Sequence, residues 1–168
     1  MTDRILLRMV EKFGGDLKRI THAFKVVGFA QALAAREHLD PETRDITLLA
    51  AILHDIGIPA AEEKYRSSAG HLQEKEGPPI AREILLGEEV PKIITDRVCH
   101  LVGHHHTYTS IDGIDFQILV EADLLVNIQE GYLSRAAGQS AIKKYFRTES
   151  GRKLANNLFP PTLEEYPT

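Results

Sequence analysis

His54 and Asp55 close an apolar run, Ile46-Thr47-Leu48-Leu49-Ala50-Ala51-Ile52-Leu53, and Ile56-Gly57 follows at once. A neutral imidazole beside a carboxylate at the end of a buried helix is costly unless something satisfies both. A divalent cation does so. His22, 32 residues before His54, and Asp123, 68 residues after Asp55, supply two more ligands. The ordered series His … His-Asp … Asp is a mixed nitrogen and oxygen donor set. It suits Mn, Fe, Co, Ni or Zn, and suits Mg less well, because Mg prefers an all-oxygen shell. In octahedral geometry two positions remain for water or substrate oxygens. A cation lowers the pKa of such a water until it is a nucleophile near neutrality. An adjacent carboxylate or histidine then takes the proton, and Asp55 is the expected catalytic residue.

Helices must bring these residues together. Apolar residues recur at intervals of three and four with little alternation, which predicts an all-α chain. Residues 3–13 read as a first helix, ended by Gly14-Gly15. Asp16 caps a long helix over 17–38, on which His22 shares a face with Val26 and Phe29. Asp40-Pro41 supplies the cap and first turn of a helix running to about Asp55. His54 and Asp55 diverge by about 100° on an ideal helix, so they share one ion only at the helix end, where Gly57 lets the chain turn away.

Residues 57–70 read as a loop directly after the His-Asp pair. Loops so placed often hold substrate. Lys64 and Arg66 within it, with Arg19 one turn before His22, are the expected phosphate-binding cations. Pro78-Pro79 opens a short helix to Leu86, and Pro91 opens another ending near His104-His105-His106. Asp115 caps a helix over 116–129 that carries Asp123 one turn from Leu119, Val126 and Asn127. Helices over 131–147 and 151–158 complete the series. Glu121 is expected to face solvent, and Cys99 to pack in the core.

A chain of 168 residues fits one domain, 1–168, with its core at about 18–130 and C-terminal helices over 131–158. With 43% hydrophobic and 26% charged residues it has the balance of an ordinary soluble globule. A net charge of −4 leaves no footprint for a nucleic-acid polymer, though local cations can still hold a small phosphorylated substrate. A lone cysteine requires no oxidising compartment. No apolar segment approaches the roughly 20 residues of a membrane span, and cytoplasm is the expected location. Oligomerisation stays open.

These residues resemble the HD-domain superfamily of metal-dependent phosphohydrolases. The resemblance rests on His22 … His54-Asp55 … Asp123 and spans roughly residues 18–130. Its flanks are Leu49–Gly57, Glu76-Gly77-Pro78-Pro79-Ile80-Ala81-Arg82-Glu83-Ile84-Leu85, and Glu121-Ala122-Asp123-Leu124-Leu125. It implies a helical bundle, a divalent metal, and hydrolysis of a phosphate ester, the substrate being a nucleotide-like small molecule. Some members hold two ions through further histidines. Here His104 and His105 stand at that place, and His71 is two residues from a ligand position occupied by Gln73. These three are the candidates for a second metal or for substrate contact, which makes one or two ions per chain. Ile58 stands where some nucleotidases have a glutamate, a departure from a specific 5′-nucleotidase. Two alternatives remain: a di-iron oxygenase resembling inositol oxygenase, completed by His71 and His104, and a regulatory HD-like binding module.

Overall fold

The computed structural model describes residues 1–160, and among these every regular element is helical. Helix α1 (Thr2–Phe13) buries Ile5, Met9 and Phe13 along one stripe. Asp16 starts α2 (Leu17–Arg36) by accepting the Arg19 N–H at 3.1 Å, and this satisfies one of the donors that a helix N-terminus leaves open. Asp40 caps α3 (Pro41–Leu53) through the N–H groups of Glu42 and Thr43, with Pro41 in the first turn.

From Ile46 to Leu53 every residue of α3 is buried. A helix that is apolar on all sides lies at the centre, and α1, α2, α6 (Lys92–Val102) and α7 (Ile114–Gln129) pack around it. The second internal helix is α7, buried without interruption from Asp115 to Val126. It lies along α2, and α8 (Arg135–Tyr145) and α9 (Glu149–Leu158) cover it. Apart from Ile58 and Ala61, the buried apolar side chains form one cluster, from Ile5 to Ala155.

The segment after the His-Asp pair corrects the expected loop. Ile58–Tyr65 forms a helix, α4. Pro59 lies in its first turn, where a missing N–H costs nothing, so it starts the helix rather than breaking it. The next element, α5 (Gly70–Gly87), begins eight residues before the expected start and runs through Pro78 and Pro79. Packing against α6 and burial of Gln73, Glu76, Gly77, Ala81 and Leu85 carry it past the two absent donors. Asp115 does not cap α7. Gly113 holds the cap position, and Asp115 accepts from Arg97 at 2.7 and 2.8 Å.

Glycine contacts fix the turn beyond Asp55. A methyl group on Gly57 would stand 2.6 Å from the Gln73 carbonyl oxygen and 2.6 Å from the Gly77 nitrogen. On Gly77 it would stand 2.8 Å from Val102 Cγ1. The backbone leaving the His-Asp pair therefore touches α5, and α5 touches α6, with no room for a side chain between them.

Candidate metal centre

Four separate segments bring side chains to one point. His22 comes from the second turn of α2, His54 and Asp55 from the turn closing α3, Asp123 from the middle of α7, and His105 from the turn after α6. His22 Nε2 lies 3.1 Å from Asp123 Oδ1, and His54 Nε2 lies 3.3 Å from His22 Nε2. His54 Nε2 is 3.4 Å from Asp55 Oδ2 and 3.6 Å from Asp123 Oδ1, and His22 Nε2 is 3.8 Å from Asp55 Oδ2. The other oxygen of Asp55, Oδ1, faces His105 Nε2 at 3.6 Å.

The far side of each ring decides what these contacts mean. His54 Nδ1 lies 2.9 Å from the Ala51 carbonyl, and His105 Nδ1 lies 2.8 Å from the Val102 carbonyl. His22 Nδ1 lies 2.9 Å from Glu130 Oε2. A carbonyl or carboxylate oxygen only accepts, so Nδ1 must carry the proton in all three rings. In the neutral ring Nε2 is then a lone pair, and all three lone pairs point at the oxygens of Asp55 or Asp123.

Acceptors facing acceptors in a buried space repel one another unless a cation or protons lie between them. His105 Nε2 is fully buried with no hydrogen-bond partner among the described residues. A divalent cation answers each of these deficits, and carbonyl-anchored imidazoles and carboxylates are the ligands that such ions take. The residues fit the metal. His22, His54 and Asp123 offer ligand atoms all within 4.8 Å of one another, and so do Asp55, His105 and His106. Asp55 directs one oxygen at each group.

Without a cation, protons do the same work. Burial opposes charge on His54, but the carboxylates of Asp55 and Asp123 outweigh it and push the imidazole up to about 9. His22 is raised in the same way, burial being outweighed chiefly by its bond to Asp123. Burial favours a neutral Asp55, yet the charge of His54 and the nearby His105 imidazole hold it well below the usual carboxylate range. His106 falls to about 4, through burial and then the charge of His105, so it is neutral at physiological pH.

A cavity of about 350 Å³ opens onto these groups. It is lined by His22, Asp55, Asp123 and His106, and by Arg19, Lys18, Asn127 and Tyr132. Arg19 is held by Asp16 at 2.7 Å and Glu62 at 2.6 Å. Lys18 Nζ lies 4.7 Å from the centre of the Tyr132 ring, over its face.

Of the residues singled out in the sequence, His22, His54, Asp55, Asp123 and His105 converge, and Arg19 lines the cavity. The others stand elsewhere. His71 is exposed on the first turn of α5. His104 turns its Nδ1 to the His100 carbonyl at 2.8 Å and stacks on the His100 ring, outside both ligand groups. The six-ligand series of a di-iron oxygenase, which needs His71 and His104, is therefore not gathered. Lys64 pairs with Glu76 across the α4–α5 contact, and Arg66 ends α4 in a left-handed conformation at φ 56° on the surface. Neither lines the cavity.

Glu121 does not face solvent. It is fully buried and accepts from Gln117 Nε2, from the N–H groups of Arg147 and Thr148, and from the Thr148 hydroxyl. It ties the α8–α9 junction to α7. Lys18, Tyr132 and Glu130 carry no expectation from the sequence. Helical spacing held a signal for the last, because Glu130 lies seven residues after Asp123 and shares its face of α7.

Comparison with known proteins bears on the family and the fold. The sequence profile of the HD domain matches residues 19–140. Among solved structures, that of a predicted HD superfamily hydrolase from an uncultured Thermotogales bacterium is similar, with a TM-score of 0.69 and 25% identity. The similarity covers 92% of this chain and 83% of that one. No curated protein matches the sequence.

Proposed function

The chain belongs to the HD-domain family, and from that premise we propose that it is a metal-dependent phosphohydrolase acting on a phosphate ester of a nucleotide-like small molecule. The observation that supports this most is the convergence of three Nε2 lone pairs on two carboxylates, a donor set that suits a divalent cation. His22, His54, Asp55 and Asp123 would hold one ion. Asp55, His105 and His106 would hold a second, with Asp55 shared between them. A bound divalent ion supplies Lewis acidity and water activated near neutral pH.

The protein's own groups supply the rest. Arg19, fixed between Asp16 and Glu62, presents a cation to the cavity, and Lys18 presents another. They hold the phosphate oxygens and offset the charge that grows on them as water attacks phosphorus. Asp55, which His54 helps keep ionised, would take the proton from that water. The ester P–O bond breaks, the alcohol leaves with a proton, and phosphate or a phosphomonoester remains. Tyr132 offers an aromatic face to a base. The single buried core supports a one-domain enzyme, with cytoplasm as its proposed location, and no described helix is long and apolar enough to cross a membrane.

The test is a phosphate-release screen over nucleoside mono-, di- and triphosphates and cyclic nucleotides, with Mn, Co, Ni, Zn or Mg added to chelator-treated protein. The expected result is release that depends on added metal and disappears in both His54→Ala and Asp123→Ala. Release unchanged in either variant overturns the assignment.

A further inference from the structure

His22 is the only one of the three lone-pair imidazoles whose proton is held by a charged side chain. The Nδ1 partners of His54 and His105 are backbone carbonyls, fixed by the turns they belong to. The partner of His22 is Glu130, the residue that ends α7. A carboxylate is the wrong charge for a helix C-terminus, where the macrodipole is negative. Something must hold it there. Lys25 does, donating to Glu130 Oε1 at 2.8 Å while His22 Nδ1 donates to Oε2 at 2.9 Å.

The spacing on both helices is that of a shared face. Lys25 lies three residues after His22 on α2, and Glu130 lies seven after Asp123 on α7. The two helices pack along one another, so α7 delivers both the carboxylate that meets His22 Nε2 and the one that meets Nδ1. Only 13% of the Glu130 side chain is exposed, which leaves it little freedom to turn elsewhere.

We infer that Glu130, steadied by Lys25, is a positioning residue that fixes the His22 tautomer and orientation for metal ligation. The inference rests on the metal-dependent reading of the site. With an ionised carboxylate at Nδ1, the ring has one stable neutral arrangement: proton on Nδ1, lone pair on Nε2. A neutral amide at the same place can donate as well as accept, so it also permits the reverse tautomer, whose Nε2–H repels a cation. Alanine leaves the ring free to rotate and to bond water.

The experiment is a titration of chelator-treated protein with Co²⁺, followed by calorimetry and by the visible absorption of the bound ion, on wild type, Glu130→Ala, Glu130→Gln and Lys25→Met. Metal-free melting temperatures are measured alongside. Loss of an outer hydrogen-bond partner typically weakens a metal site by about 10- to 100-fold. Glu130→Ala should reach that range, Glu130→Gln should fall between it and wild type, and Lys25→Met should show a smaller loss. The metal-free melting temperatures of Glu130→Gln and wild type should agree, because the amide preserves size and packing. Equal Co²⁺ affinity in wild type and both Glu130 variants overturns the inference while leaving the metal site standing. Wild-type protein that takes up no Co²⁺ overturns both.

Discussion

Gly57→Ala should damage this protein more than any other single methyl group placed near the site. The added Cβ would meet the Gln73 carbonyl oxygen and the Gly77 nitrogen at 2.6 Å, and Gly77 Cα at 2.9 Å, where ordinary contact begins at 3.4 Å. All three atoms are backbone, so no side chain can rotate out of the way. The turn after Asp55 and α5 must separate by most of an ångström, and Val102 beneath Gly77 resists that movement. Overpacking of this kind costs about 1–3 kcal/mol, and a clash with backbone belongs at the upper end. For a chain of this size each kcal/mol lowers the melting temperature by roughly 2–4 °C, so a fall of about 5–12 °C is expected. The shift also moves Asp55 relative to His54, so Co²⁺ affinity should drop with stability. Gly28→Ala is the control: it lies on an exposed face of α2 with nothing within 4 Å, and it should gain about 0.5–1 kcal/mol. Calorimetric melting of both variants decides. A Gly57→Ala protein that melts within about 2 °C of wild type and binds Co²⁺ normally would refute the close-approach argument.

Three other outcomes follow from named contacts. His54 is raised from 6.5 to about 9 in the metal-free fold, so its contribution is complete below pH 6.5 and is lost as pH rises through 9; the melting temperature of chelator-treated protein should fall over that window, and saturating metal should flatten the fall. Lys18→Ala should lower kcat/KM for a phosphorylated substrate about tenfold or more, with kcat falling as well, whereas Lys64→Ala, which removes only a partner of Glu76 outside the cavity, should leave both constants alone in steady-state assays. Glu121→Ala strands the Arg147 and Thr148 N–H groups and should cost about 2–5 kcal/mol in denaturant unfolding, with Co²⁺ affinity retained in the folded protein.

Much of the architecture could be read from residue order because local signals agreed with the packing. Asp16 and Asp40 cap the helices they were expected to cap, and the uninterrupted apolar run before His54 is the buried central helix. Prolines misled where their position in the helix mattered. Pro59 falls in the stretch read as a loop but occupies the first turn of a helix, and Pro78-Pro79 read as a start but lie inside α5, where tertiary burial outweighs two missing donors. The same stretch misplaces the cations: a loop over 57–70 would let Lys64 and Arg66 reach the site, whereas the helix fixes Lys64 on Glu76. Glu121 shows the opposite failure. Its burial is repaid by N–H groups of residues 147 and 148, a long-range pairing that no local pattern announces.

A crystal grown with Mn²⁺ and measured for its anomalous signal tests the central claim most directly. The account predicts a peak bounded by His22 Nε2, His54 Nε2 and the carboxylates of Asp55 and Asp123. Those four side chains free of manganese at saturating concentration, with the ion absent or bound elsewhere, would contradict it.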